Sequence, residues 1–302
     1  MQRRALVLEA HHSTHIEGTT LTLDQSDSLL SGRKPRGVRA DDAKEVINYR
    51  DAFDLVATYL DSGDPITEGL IREIHKRLVR DVRGNAARPG EYRKVQNYVA
   101  NSVTREVIYT PPPPTDVPHL MTELVAWLNA ADEVHPILCA GIAQFQLVHI
   151  HPFLDGNGRT ARLLAMLCMY RRGYDFRKLF TLSEYYDRDR SSYYRAIQSV
   201  REQRMDHTHW LTYFAAGLEW QLLEVQAKGE RLIREQGLSE RQRVALDLAS
   251  SQPAFRIDDF AARCPGVHRR TLQRDLRGLV ELGLITTEGA TNRLVYRLPE
   301  PS

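Results

Sequence analysis

The 302-residue chain is longer than one ordinary domain, and 42% hydrophobic residues suit two or three globular units, each able to bury a core. Its 41 basic and 39 acidic side chains leave a formal charge of +2, so net charge points to neither nucleic acid nor a membrane surface, and any such role must sit in a local patch. Cys139, Cys168 and Cys264 are odd in number, far apart and without metal-ligand spacing, and no run is apolar enough to serve as a signal core or to span a bilayer. The expectation is a cytoplasmic protein with reduced thiols and no membrane partner.

Residues 3–17 predict a helix that stops at Gly18, a natural residue just past a helix end. Glu17 then places a carboxylate in the last turn, against the helix dipole, and Ser13 shares its face. His11 and His15 stand four apart, as helical metal ligands would, but no third ligand is evident, so they and His12 read as polar helix residues. Residues 19–40 are polar, with a basic stretch at 32–37, and read as a loop. From Asp41 or Asp42 as cap, Val46, Ile47, Arg50, Phe53, Val56, Ala57 and Leu60 trace a helix closed near Gly63. After Thr67, Leu70, Ile71, Ile74 and Leu78 trace another, which breaks at Arg83-Gly84-Asn85. His75 lies beside that apolar face and reads as a packed histidine.

Two β-prone runs follow, Val95 to Val99 and Glu106 to Tyr109, across a polar turn at Asn101-Ser102. They predict a hairpin whose free edge can accept an extended peptide. Prolines at 111 to 114 stiffen its exit, and Thr115 or Asp116 caps a helix with Leu120, Leu124, Trp127 and Leu128 inside.

Residues 151–162, His-Pro-Phe-Leu-Asp-Gly-Asn-Gly-Arg-Thr-Ala-Arg, organise the rest. Before them, Leu138, Ile142, Phe145 and Val148 recur at helical spacing, and Pro152 pushes His151 out of helical geometry. Gly156 and Gly158 allow positive φ, Asn157 tolerates it, and a second helix is expected near Arg159, directing free N–H groups at one place. That is an anion site. Arg159 and Arg162 share the first turn, where the dipole disfavours cations, so an anion is needed there. His151 offers a proton acceptor and Asp155 a carboxylate able to hold Mg²⁺ beside phosphates. Together these groups suit phosphoryl or nucleotidyl transfer; the bland alternative is a helix-loop-helix corner with surface charges.

The string resembles the signature of the Fic (Fido) family, His-Pro-Phe-x-Asp-Gly-Asn-Gly-Arg-x-x-Arg, with every specified position filled. The resemblance implies a mainly α fold, a helical core with a β-hairpin flap that aligns the target segment. It implies transfer of AMP from ATP to a Ser, Thr or Tyr hydroxyl of a target protein, with self-modification in scope. His151 would be the general base and Asp155 the Mg²⁺ ligand; Gly156, Asn157, Gly158 and Arg159 would bind phosphates, and Arg162 would reach the γ-phosphate. Ser-Thr-His-Ile-Glu-Gly, from Ser13, resembles the family's inhibitory motif, so Glu17 would occupy Arg162. Tyr193 and Tyr194 fall where the family lines its adenine pocket. Removal of AMP, with Glu17 orienting a water, and transfer of another phosphate-linked group stay open.

Trp210, Leu211, Phe214, Leu218, Leu222, Val225 and Leu232 mark a long helix that carries a linker. A capping box at Ser239 and Gln242 opens a new unit of three helices and a closing hairpin, an order that resembles a winged helix-turn-helix. Arg269, Arg270, Gln273, Arg274 and Arg277 crowd its third helix, and Arg293 and Arg297 its wing, which suits either DNA contact or a protein contact such as a homodimer. A DNA-binding regulator with a nucleotide-sensing core is therefore a rival function. The expected division is a helical region at 1–64, a catalytic core at 65–216, a linker at 217–238 and a winged helix at 239–302.

Overall fold

The computed structural model describes residues 2–59, 64–100, 104, 106–130, 133–174, 181–289 and 294–299. The chain divides into two units, residues 1–222 and 223–302. In the first, α1 (Gln2–Ile16) gives way to a turn in which Gly18 takes a φ of 102°. Residues 19–40 are not wholly a loop: α2 (Leu23–Leu30) lies within them. Its start is fixed by a reciprocal cap, the Thr22 hydroxyl accepting from the Gln25 N–H while the Gln25 amide accepts from the Thr22 N–H. In α3 (Ala40–Tyr59), Asp41 and Asp42 lie inside the first turn instead of capping it, and buried Asp42 accepts from both the N–H and the hydroxyl of Thr20. Leu60 and Gly63, expected to close this helix, lie outside the described residues. Thr67 caps α4 (Glu68–Val79) through Leu70 N–H, and a 3-10 turn follows at Arg83–Asn85.

The hairpin pairs β1 (Val99–Ala100) with β2 (Val107–Tyr109) antiparallel, Val99 opposite Tyr109. It is shorter than the sequence predicts. Ahead of Val99, Gln96 donates to the Pro111 carbonyl and Asn97 to the Phe153 carbonyl, so side chains anchor this stretch where a ladder was expected. The expected turn residues Asn101 and Ser102 lie outside the described residues.

Then come α5 (Val117–Ala130), α6 (Pro136–Ile150), α7 (Asn157–Tyr170), α8 (Leu182–Arg188), α9 (Arg190–Glu202) and α10 (Thr208–Gln236). Every residue of α7 except Gly158 is buried, as an apolar helix interior to its unit must be. One core runs from Ala10 of α1 to Leu218 of α10. Buried Trp210 donates its indole N–H to the Gly141 carbonyl, and a Cβ at Gly141 would sit 2.7 Å from Leu211, so glycine permits that close approach.

The second unit has its own core, including Phe255, Phe260, Leu272, Leu276 and Leu279. It contains α11 (Glu240–Ser251), boxed by Ser239 and Gln242, then α12 (Ile257–Arg263) and α13 (Arg269–Glu281). An antiparallel pair, β3 (Thr286–Glu288) and β4 (Val295–Arg297), closes it. Arg293 lies outside the described residues. Among the described residues no helix is long and apolar enough to cross a membrane.

Candidate active site

The turn between α6 and α7 is fixed from inside by Asn157. Its side chain accepts from the Phe153 N–H and donates to the Phe153 carbonyl, both at 2.9 Å. Asn157 is thus the first helical residue, and α7 begins two positions earlier than the spacing suggested. Gly156 takes the left-handed φ of 77°, whereas Gly158 is helical. Gly158 matters for space: a Cβ there would collide with Glu17 Oε1 and come within 3.2 Å of Arg162 Nη1.

His151 closes α6 with a φ of 52°. Its Nδ1–H donates to the Val148 carbonyl at 3.2 Å, which leaves the Nε2 lone pair free to accept a proton. Burial pushes its pKa down to about 4, so the ring is neutral at pH 7. Asp155 is 45% exposed, with Oδ1 accepting from the Gly156 N–H at 2.6 Å and Oδ2 facing Arg83 at 3.4 Å. Among the described residues no group of three or more ligating side chains forms a ready metal cage. Asp155 also stands 3.6 Å from Arg159 Nη2, yet a half-exposed carboxylate fits Mg²⁺, which keeps several waters and completes its shell with substrate phosphates.

The two arginines of α7 diverge. Arg162, 3% exposed, donates from Nε to Ser13 Oγ and from Nη2 to both the Ser13 carbonyl and Glu17 Oε1, each at 2.8 Å. Burial works against its charge, and Glu17 with Tyr193 and Tyr49 more than reverses this, so its pKa is raised. Arg159, 2% exposed, instead donates to Glu45 Oε2 at 2.7 Å, while Arg83 holds the other oxygen of that carboxylate at 3.0 Å. The anions that Arg159 meets in the structure are therefore internal, Glu45 closely and Asp155 at 3.6 Å, and Glu45 gave no signal in the sequence. Burial raises the Glu45 pKa against the pull of both arginines.

Two further residues were missed. Arg93, buried before the hairpin, donates from its backbone N–H to the Pro152 carbonyl at 2.8 Å and from Nε to the His151 carbonyl at 2.9 Å. Its Nη2 also donates to the Pro112 carbonyl. His75 is packed as expected, its ring 3.7 Å from that of Phe153, but it also bridges the site. Its Nε2–H donates to the Asp155 carbonyl at 2.9 Å and its Nδ1 accepts from the Gly90 N–H at 3.0 Å.

The three histidines of α1 meet polar side chains. His12 and His15 each place Nδ1 2.8 Å from Asp187 Oδ2, and His11 bonds Ser26. Buried Glu9 accepts from Tyr49 and Ser183, which further ties α1 to α3 and α8. Tyr193 and Tyr194 part company: Tyr193 is buried and stacked on Tyr186 at 4.3 Å, while Tyr194 is 50% exposed. On the hairpin and its approach, Val95, Tyr98, Val107 and Ile108 are exposed.

In the second unit, Arg270, Gln273, Arg274 and Arg277 are exposed along one face of α13. Arg269 is paired with Asp258, and buried Asp275 is held by Arg241 at 2.7 Å.

In the helical first unit, a neutral histidine, a half-exposed carboxylate and a glycine turn thus share one loop at the start of a buried helix. Residues 65–169 match the Fic/DOC family, and residues 1–57 match the Fic/DOC family N-terminal region. The chain thus carries a Fic/DOC domain preceded by that family's N-terminal region.

Among its relatives, the protein named Protein adenylyltransferase Fic of Culex quinquefasciatus is 36% identical over 177 residues, covering 57% of this chain and 34% of its own length. That of Drosophila melanogaster is 31% identical over 258 residues, covering 81% of this chain and 51% of its own. The chain therefore spans a third to a half of these relatives' length. In structure it is similar to a Fic family protein from Desulfovibrio desulfuricans, with a TM-score of 0.67 at 23% identity, covering 100% of this chain and 88% of the other. It is also similar to Fic-1 from C. elegans, with a TM-score of 0.59 at 29% identity, covering 74% and 64%.

Proposed function

We propose that the protein is an adenylyltransferase that moves AMP from ATP to a hydroxyl of a target protein and is held inactive by Glu17. The observation that carries this reading is the turn between α6 and α7, where neutral His151, half-exposed Asp155 and the start of α7 occupy one loop. The names of the curated relatives support the choice of AMP. In this reading His151 Nε2 takes the proton of the target hydroxyl, whose oxygen attacks the α-phosphorus as pyrophosphate leaves. The N–H groups at the start of α7 receive the phosphate charge. Mg²⁺, when bound at Asp155, neutralises charge on the leaving group. Glu17 occupies Arg162 and so denies it to the γ-phosphate. The exposed apolar hairpin supplies the edge along which a target segment lies, this chain's own included. Buried free cysteines support a reducing, cytoplasmic setting.

Residues 239–302 fit a winged helix, joined through 217–238. The exposed Arg270, Gln273, Arg274 and Arg277 face supports DNA as the partner of that unit over a homodimer contact.

The test is incorporation of ATP label from the α-phosphate into lysate proteins by wild type, Glu17→Gly, and Glu17→Gly with His151→Ala. Label in Glu17→Gly alone supports transfer, inhibition and the role of His151 together. Absence of label in every lane, with nucleotide still bound, would overturn AMP transfer in favour of AMP removal or another donor.

A further inference from the structure

Two of the three cysteines face each other across the central helix pair. Cys139 stands as far before the end of α6 at Ile150 as Cys168 stands after the start of α7 at Asn157, so the two come level in the α6–turn–α7 hairpin. Their side chains lie close enough for each thiol to shift the other's titration. Both are buried and free. They are not sealed in, because a cavity of about 130 Å³ is lined by both thiols together with Asn129, Arg171 and Arg172. The cavity is larger than the volume of a few water molecules, each about 30 Å³ in the liquid, so a small polar oxidant fits. No part of the adenylyl-transfer reading uses this pair.

We infer that Cys139 and Cys168 form a redox-active dithiol that a small hydroperoxide converts to an intramolecular disulfide. The Cys139 thiolate attacks one peroxide oxygen; the O–O bond breaks, the alkoxide or hydroxide leaves and takes up a proton, and a sulfenic acid remains. Cys168 then attacks that sulfur, the S–S bond forms, and hydroxide leaves with the Cys168 proton as water. The dithiol loses two electrons and two protons, and the peroxide gains them as it is reduced to an alcohol, or water, and a second water.

Attack by Cys139 suits the surroundings of the two thiols. The hydrogen bond from Cys168 stabilises the Cys139 thiolate, burial opposes it and Arg172 assists, which lowers the Cys139 pKa to about 7. Cys168 is pushed up as the donor in that bond and by its own burial. Cys264 lies in the other unit and serves as an internal control.

The experiment exposes the reduced full chain to one equivalent of hydrogen peroxide, unfolds it in a maleimide reagent and maps the thiols by mass spectrometry. The expected result is maleimide on Cys264 alone, the peptides containing Cys139 and Cys168 joined with loss of two hydrogens, and full labelling after dithiothreitol. In Cys168→Ala, a 1,3-dione probe of sulfenic acid should label Cys139 several-fold more than in wild type. Three thiols still labelled at a dose that oxidises free cysteine, or oxidation confined to Cys264, would overturn the proposal. So would dione label on Cys264 in place of Cys139 in the Cys168→Ala variant.

Discussion

Arg93 Nε donates to the carbonyl oxygen of His151 at 2.9 Å, and the Arg93 N–H donates to the carbonyl of the next residue, Pro152, at 2.8 Å. One residue ahead of the hairpin thus holds the backbone on both sides of the His151–Pro152 peptide. Since Nη2 also holds Pro112 beyond β2, the hairpin and the candidate base share a single anchor. Lysine has one compact donor group and cannot span these carbonyls. Arg93→Lys should lower kcat by roughly 10- to 100-fold through misplacement of His151, with nucleotide affinity nearly unchanged. Isothermal titration beside labelling rates in a Glu17→Gly background measures both, and an equal fall in affinity would show that Arg93 only supports the fold.

The Arg162 guanidinium has three acceptors in α1 and its end: Ser13 Oγ, the Ser13 carbonyl and Glu17 Oε1. Ser13→Ala removes one of these and leaves the carboxylate in place. A hydrogen bond to a charged group contributes about 1.5–3 kcal/mol, so α1 should loosen only in part. Labelling activity should rank Glu17→Gly above Ser13→Ala above wild type, with the Glu17→Gly gain roughly 5- to 150-fold, the span of ordinary coupling energies. Equal activity in Ser13→Ala and wild type would mean that the carboxylate alone sets the restraint.

The pairing of Glu17 with Arg162 is legible in the sequence because each charge sits at the wrong end of its helix for the dipole. That conflict invites a partner. The Gly156 turn and the Ser239 and Gln242 capping box are legible because their signals are local, whereas the Thr22 and Gln25 box is hidden in a stretch whose polarity reads as loop. The contacts that Arg93, Glu45 and His75 make at the site are not legible, although His75 reads correctly as packed. The partners of Arg93 and His75 are backbone groups, which carry no residue identity, and Glu45 meets Arg159 across 114 residues, where no periodicity reaches. The hairpin is overcalled because β propensity at Val95–Tyr98 does not reveal that Gln96 and Asn97 have other acceptors.

Neutral His75 uses both ring nitrogens, one donating to Asp155 and one accepting from Gly90, so protonation would set an N–H against an N–H. Burial accordingly lowers its folded pKa to about 4, from an ordinary 6.5. Between those values the unfolded chain binds a proton that the folded chain refuses, and stability therefore falls as pH drops from about 6.5 to about 4. This one group accounts for up to about 3 kcal/mol of that loss. His11, His149 and His151 are lowered by burial in the same way and add to the slope. His75→Gln should be less stable at pH 7.5 yet show a flatter decline, read from urea unfolding at a series of pH values. A slope identical to wild type would place the proton uptake elsewhere.

On α13 the arginines are not equivalent. Arg269 is paired with Asp258, whereas Arg270, Arg274 and Arg277 share an exposed face with Gln273. If that face meets DNA phosphates, each arginine contact releases counterions, and the slope of log K against log salt should shrink by about 0.9 for each contact removed. Arg270→Ala and Arg274→Ala should each show this loss. Arg269→Ala should show less, because its charge is partly spent on Asp258. Fluorescence anisotropy with a short duplex across a salt series measures all three. Equal losses at the three positions would assign the effect to general charge, and a wild-type chain that binds no duplex would turn this face over to a protein partner. The carboxylate of Asp275 does not enter the comparison, since it is buried against Arg241 and absent from the exposed face.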